Sequence, residues 1–577
     1  MLVLLGVGAV YARTACATLV SYSDSAELVT ASYTLGVPHA PGYPLCMMLG
    51  KLWACLLPGD VTHRYSLLCG LLGSLTASVV FLLVLRLTAS AGAAFGAAFT
   101  LAFSYHFWLY GLVPEVSVLH ALFVALVLGA ALAKGPGAPL SSGRLGLLAF
   151  LYGLSLTHHH IMVLAAPALA VYLWSLPRES VPSPRSWLRA GGCFLAGLLP
   201  YLYVPLAAAA GPAIDSFRGG GMLALLAFIA RRSYGTLQLT PQFADFSADI
   251  AWQLLRFYAQ CLLDSFGAAG LLLGLAGTLW LWRMARRELV LLGLFLVLTG
   301  PFFTVLTRAV PAAISTKAML EKYVVGSFVV FAILVGCGLA GLLGALAGPA
   351  ARRSRARAAA ARLGAVAAAV VLPGWLAFGN AASVDKSDFR ISRMYAEDLF
   401  RCVPSGALLL VKGDSSLFGS LYLQLVEGRR PDVRVLNVSE TDVPRLLASE
   451  FGRRPVCEVG IPGGMLAGFG LADNPFGLAP RGLTFQVVAP GAATEDDESL
   501  WNSFAYQGRP DTGEVRDLYA KETLWFYAAA RFNKAVTLER AGRVREACEQ
   551  LRKALVIDPD FPEARAFLQR LPAPGDS

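Results

Sequence analysis

Apolar stretches of membrane-crossing length recur along the first two thirds of this 577-residue chain, and no other feature limits its fold so strongly. They fall near 2–20, 66–87, 92–110, 116–133, 145–158, 161–176, 190–208, 262–282, 288–306, 324–347 and 361–379, about eleven in all. Roughly 20 apolar residues cross the hydrocarbon core as helix, so most of these are long enough, while the two short ones in the middle must tilt, break or re-enter. Lipid cannot satisfy loose backbone N–H and C=O groups, which leaves α-helix as the form for such spans. An α-helical polytopic domain is therefore expected over residues 1–380, followed by a soluble region.

Composition agrees. Charged residues make up 15% of the chain and hydrophobic ones 56%, against ~25% charge in ordinary globular chains. The net charge of +10 divides unevenly: 24 Lys/Arg against 11 Asp/Glu in residues 1–380, and 24 against 27 in residues 381–577. The basic residues cluster in alternate short loops (Arg86; Lys134 and Arg144; Arg178, Arg185 and Arg189; Arg283, Arg286 and Arg287; Arg352, Arg353, Arg355, Arg357 and Arg362). That is the positive-inside pattern of cytoplasmic loops rather than a nucleic-acid surface, and no nucleic-acid partner is expected. The opposite loops, with Asp24, Glu27, Glu115, His158 to His160 and the C-terminal 200 residues, then face away from the cytoplasm. Ten cysteines are scattered without metal-type pairing; Cys402 and Cys457 could bridge in an oxidising compartment. The first apolar run lacks a basic leader and a cleavage site, and reads as a retained helix.

Just after that run comes SYSDSAELVTASYTLGVPHAPGYPL, Ser21 to Leu45. Asp24 and Glu27, spaced i, i+3, share one face of a helical turn at the membrane surface, where carboxylates are costly. The cluster Pro38, Pro41, Gly42, Pro44 then forces a turn. Asp24 or Ser23 capping a short helix is the structural alternative.

The residues Asp24-Ser25-x-Glu27-Leu28 and Gly36-Val37-x-His39-x-Pro41-Gly42-x-Pro44-Leu45 resemble the N-terminal signature of a polytopic family in the GT-C glycosyltransferase superfamily. That family includes the eukaryotic O-mannosyltransferase of plexin and receptor IPT domains, with many bacterial relatives. Ala26 replaces the usual Gly and Ala40 the usual Pro. The resemblance continues in GLVPEVSVLHALF from Gly111, GLSLTHHHIMVL from Gly153, LLPYLYVPLA from Leu198 and RRSYGTLQL from Arg231, and loosely in LEKYVVGS from Leu320, where Lys322 stands for the usual Arg. It implies transfer of a monosaccharide, such as mannose, from a polyprenyl- or dolichyl-phosphate carrier to an extracytoplasmic hydroxyl, with inversion and no nucleotide-binding domain.

Glycosyl transfer needs a base for the acceptor proton and a cationic or hydrogen-bonding shell for the departing phosphate. Asp24 is the expected base, with Glu27 orienting the acceptor, sharing a proton or holding a sugar hydroxyl; pairing of Glu27 with Arg64 is the alternative. His39, Glu115, His159, His160, Arg231, Arg232, Tyr234 and Lys322 are the expected donor- and acceptor-binding groups. Several have a structural reading: a helix-dipole partner for Glu115, helix packing for His159 and His160, membrane anchoring for Arg231, Arg232 and Tyr234. Three successive imidazoles fan around a helix and cannot all face one ion, so no metal site is assigned. The chemistry leaves room for a divalent metal without demanding one.

Residues 381–515 change to soluble α/β character, with strands at Ala407–Val411 and Val433–Val438 flanking a helix at Ser416–Glu427. In residues 516–577, Ala535, Gly542, Ala547, Ala554 and Pro559 fit one tetratricopeptide repeat, or a plain helical hairpin, as a place for an acceptor protein. The whole reads as a GT-C-like membrane transferase with a soluble end, in a bacterial inner membrane or, alternatively, the endoplasmic reticulum. Rival functions are a flippase or transporter of lipid-linked sugars, and a transferase acting on a lipid or glycan acceptor.

Overall fold

The computed structural model describes residues 1–132, 140–177, 182–236, 246–311, 314–346, 355–460, 476–490, 492, 498–506 and 518–571. They form two compact units, one of Met1–Ala17 with Ala31–Asp388, the other of Thr18–Thr30 with Phe389–Ser577.

The first unit is helical. Its elements are α1 (Leu2–Thr14), the last turn of α2 (Ser25–Thr34), α3 (Pro44–Leu56), α4 (Val61–Thr88), α5 (Ala91–Phe103), α6 (Tyr105–Tyr110), α7 (Ser117–Ala131), α8 (Ser142–Leu156), α9 (Ala166–Trp174), α10 (Pro184–Gly197), α11 (Tyr203–Ala209), α12 (Met222–Ile229), α13 (Ala248–Met284), α14 (Arg286–Val297), α15 (Phe303–Leu306), α16 (Ile314–Leu346) and α17 (Arg355–Val384). Among the described residues, five helices are long and apolar enough to cross a membrane: Val61–Thr88, Pro184–Ala209, Ala248–Met284, Arg286–Leu306 and Thr316–Ala345. Seven shorter apolar helices accompany them. Every stretch expected to cross falls at least partly on helix, and the chain is a multi-pass membrane protein.

Two of the boundaries that differ from expectation have a visible local cause. The first helix stops at Thr14, where Ala15 turns extended and the Cys16 N–H bonds to Leu112 O instead of continuing the spiral. The helix expected from 262 begins at Ala248, capped by Ser247, because Gln253 with Asp249 and Gln260 with Asp264 supply polar i, i+4 pairs that periodicity of apolar residues misses. Its 37 residues are not one straight rod: Gly267, at φ 63° and ψ 174°, breaks the element into two helical pieces.

Packing depends on small residues, as it must where lipid is as apolar as leucine. A Cβ on Gly277 of α13 would stand 1.8 Å from Leu334 O of α16, and one on Gly338 would stand 2.0 Å from Leu273 O. These backbones touch only because neither residue has a side chain.

The second unit holds α18 (Ile391–Cys402), β1 (Leu408–Val411), α19 (Asp414–Leu425), β2 (Arg434–Asn437), α20 (Val443–Glu450), β3 (Val456–Val459), β4 (Gly477–Arg481), β5 (Thr484–Val488), α21 (Glu498–Asn502), α22 (Leu518–Arg540), α23 (Val544–Ile557) and α24 (Pro562–Arg570). Its sheet order is β2-β1-β3-β5-β4, parallel across β2-β1-β3 and antiparallel beyond. The unbroken apolar run of β1 is that of a central parallel strand covered on both faces. Cys402 and Cys457 are buried and form no disulfide, the Cys402 thiol accepting from the Leu483 N–H at 3.2 Å.

Candidate active site

Asp24 and Glu27 belong to the second unit. Ser25 N–H bonds to Tyr22 O and Leu28 N–H to Asp24 O, both at 2.8 Å, so α2 starts directly after Asp24. Asp24 therefore occupies the cap position and Glu27 the third helical position, the spacing of a capping box. Capping alone does not account for the pair. Their carboxylate oxygens lie within 4.8 Å of each other, Glu27 is buried, and Asp24 stays half-exposed with Ser23 Oγ donating to it at 3.2 Å. Two carboxylates so close can hold a proton or a hard divalent cation between them. Ser23 takes a left-handed φ of 47°, unusual for a residue with a side chain.

The rest of the signature is seated in the helical unit. Val37 N–H bonds to Ile214 O at 2.8 Å and Ser216 N–H to Val37 O at 2.9 Å, a single parallel bridge. Gly36 permits it, since a Cβ there would stand 2.6 Å from Ile214 O; Tyr203 adds a hydrogen bond to Gly36 O at 2.8 Å. Gly42, at φ 85°, turns the chain against Phe228 and Val204. Beneath lies an apolar cluster of Val37, Val204, Ala207, Phe217 and Leu225. The loop bearing His39 is thus fixed on both sides.

Around that loop the expected groups converge. Tyr43 Oη is 3.2 Å from His39 Nε2, and its ring lies 6.3 Å from His159. The His159 and His160 rings stack at 5.1 Å. Arg231 Nη1 sits 3.4 and 3.5 Å from the two His160 ring nitrogens, its guanidinium 4.9 Å over the Tyr234 ring, which faces His39 at 6.5 Å. His39, Tyr43, His159, His160, Arg231 and Tyr234 so close a circuit. Arg231 is only 2% exposed, has φ 51°, and its Nε has no hydrogen-bond partner. Among the described residues no carboxylate pairs with it.

Behind the circuit, Lys322 Nζ and Glu115 Oε1 are 3.9 Å apart and fully buried. Tyr323 reaches His159 at 5.7 Å, and His158 Nε2 donates to Val116 O at 2.8 Å. The His120 ring lies tilted against His159 at 4.7 Å and fits against Gly326, with neither ring nitrogen partnered. Arg232 is exposed and joins none of this. Arg64 spends its guanidinium on Gly59 and Ala54 carbonyls. Tyr43, His120 and Tyr323 were not expected from sequence, although Tyr43 lies inside the signature and Tyr323 inside LEKYVVGS.

The architecture matches solved structures of ArnT from Cupriavidus metallidurans. The form bound to undecaprenyl phosphate superposes with a TM-score of 0.54 at 14% identity, covering 85% of this chain and 98% of that one. The apo form gives the same score, covering 86% and 99%. The fold is that of ArnT. Within it, residues 24–181 match the family described as the Protein O-mannosyl-transferase TMEM260 N-terminal domain, which bears out the resemblance read from the GT-C signature. Protein O-mannosyl-transferase TMEM260 of Mus musculus is 30% identical over 425 residues, 72% of this chain and 59% of that protein. The Dictyostelium discoideum protein of the same name is 24% identical over 455 residues, 73% of this chain and 54% of its own. The chain thus spans a little over half the length of these curated relatives.

Proposed function

We propose that the protein is a GT-C glycosyltransferase that moves a monosaccharide, mannose by the likeness to its named relatives, from a polyprenyl-phosphate carrier to a hydroxyl of an extracytoplasmic protein. The observation that carries this reading is Arg231. A guanidinium so buried, with an unpartnered Nε and only imidazole and phenol around it, is matched electrostatically by an anion, and a phosphate monoester or diester fits its planar donors. The undecaprenyl phosphate named for the ArnT structure supports a lipid-borne phosphate.

In this reading His160, Tyr234 and His39 line the phosphate and sugar, while the Glu115–Lys322 pair holds the turn before α7 to α16 behind them. Asp24 takes the acceptor proton as the hydroxyl oxygen attacks the anomeric carbon. The bond from that carbon to the phosphate oxygen breaks, and the lipid phosphate leaves into the field of Arg231. Glu27 steadies Asp24, or with it holds a divalent cation. The last two helices, α23 and α24, serve the acceptor protein. The catalytic face is extracytoplasmic, and a bacterial inner membrane is the expected setting.

The test is transfer of radiolabel from polyprenyl-phosphate mannose to candidate acceptors in liposomes carrying wild-type protein or Asp24→Asn. Transfer by the wild type and a fall of about 10²- to 10⁴-fold in a folded, donor-binding variant is expected. Undiminished transfer by Asp24→Asn would remove the base. Passage of labelled lipid across the bilayer without any transfer would replace the transferase by a flippase.

A further inference from the structure

The second unit does more than append an acceptor-binding end, because the segment that bears Asp24 is built into it. Thr18 Oγ1 accepts from Arg393 at 3.0 Å, and Arg393 is itself clamped by Glu427 through two bonds of 2.7 and 3.0 Å and by Glu397 at 3.0 Å. Ser21 is buried and lies against Gly419 of α19. Tyr22, 1% exposed, is held between Phe389, at 5.6 Å edge-on, and Tyr519 of α22, at 4.5 Å. Two residues further, after the left-handed Ser23, comes Asp24. Ser21, Tyr22, Ser25, Ala26 and Glu27 are all buried, while Ser23 and Asp24 are half-exposed.

We infer that Tyr519 is a positioning residue for Asp24, acting through the Tyr22 ring. This rests on the reading of Asp24 as the base. A tight turn with one left-handed residue has few ways to relax, and the aromatic contact decides where its carboxylate points. Removing the Tyr519 ring leaves a void beside Tyr22 and lets the turn shift, and a displacement of about 1 Å at a reacting group is enough for a rate loss on the order of 10²-fold. Donor binding is untouched, since Arg231 and its neighbours lie elsewhere in the chain. The second unit is then part of the catalytic apparatus, and its loss would silence the enzyme even toward an acceptor that needs no docking.

The experiment compares wild type, Tyr519→Ala, Tyr519→Phe and Arg531→Met. Arg531 lies on the same helix but serves Glu498 and Trp501, so its variant reports general weakening of the unit. Expected is a kcat about 10- to 100-fold lower in Tyr519→Ala, with donor KM within about twofold of wild type, and near-complete rescue in Tyr519→Phe. Arg531→Met lowers the melting temperature but leaves kcat in place. Hydrogen exchange gives a readout independent of turnover: amides of residues 22–28 exchange faster in Tyr519→Ala while those of β1 and β3 do not change. Unchanged exchange in that segment overturns the inference whatever the activity, as does a kcat loss no greater than that of Arg531→Met at equal destabilisation. Failure of Asp24→Asn to reduce transfer while exchange responds as expected sinks the assignment of the base instead.

Discussion

Arg231 in the helical unit and Asp398 in the α/β unit are both buried charges, 2% and 0% exposed, and their surroundings are opposite. Asp398 is saturated: it accepts from Ala505 N–H at 2.7 Å, Tyr506 N–H at 3.1 Å and Tyr527 Oη at 2.8 Å, and pairs with Arg401. It ties α18, the 504–506 turn and α22 together. Arg231 has an idle Nε and, among the described residues, no paired acid, in a backbone conformation that a side chain rarely adopts. A buried charge whose bonds are complete is architecture; one whose bonds are incomplete is poised for something that arrives.

The largest effect expected from this contrast is on stability. Asp398→Ala strands three donors and a guanidinium, and should lower the stability of the α/β unit by about 3–5 kcal/mol while leaving donor affinity unchanged. Thermal melts and binding of a polyprenyl phosphate by the detergent-solubilised protein read the two. The mirror experiment is Arg231→Gln, where donor affinity should fall about 10- to 100-fold, the worth of about 1.5–3 kcal/mol for a charged hydrogen bond. Its melting temperature should hold or rise, since an unmatched buried charge is gone. A drop in stability with affinity retained would make Arg231 architecture after all, and the contrast would collapse.

Between these extremes lies Glu115–Lys322. At 3.9 Å the pair is matched but long, and Lys322 also lies over the Tyr323 ring at 5.3 Å. Glu115→Gln and Lys322→Met should each cost more than half of what the double variant costs, with a coupling of about 1–3 kcal/mol in a double-mutant cycle of melting free energies. Simple additivity would show that the two charges do not depend on one another.

How much of this was legible beforehand follows the same division. Helical spans could be read because lipid allows only one backbone solution, and the strands at 408–411 and 434–437 because β1 is apolar throughout and turns flank it. Gly36, Gly42 and the histidine triplet stood out by residue type, and the structure gives Gly36 and Gly42 their reason in close approach and positive φ. Asp24's helix start was also legible, as the capping alternative. What sequence did not reveal was side-chain company. That Glu115 meets Lys322 across more than two hundred residues, that Tyr519 reaches Tyr22, and that Arg232 stands apart while Arg231 turns inward depend on tertiary placement, which no local pattern encodes. The early end of α1 at Thr14 escaped for a related reason: hydropathy continues to Val20 although the backbone bond of Cys16 goes to Leu112.

The smallest effect concerns a saturated charge nearer the surface. Burial pushes the Glu498 carboxyl up, but hydrogen bonds from Lys534 and Gln550 with the charges of Arg531 and Lys534 outweigh it and hold it down at about 2. A carboxylate held below its unfolded value stabilises the fold fully above pH ~4.5 and ceases to do so as the pH falls through 2. Its side chain is 33% exposed, so solvent screening leaves about 1 kcal/mol or less of that stabilisation. Wild type should therefore melt above Glu498→Gln at pH 6, and the gap should close between pH 4.5 and 2. A gap that persists unchanged at pH 2 would mean that Glu498 acts through packing on α22 rather than through its charge, and would take it out of the class that Asp398 defines.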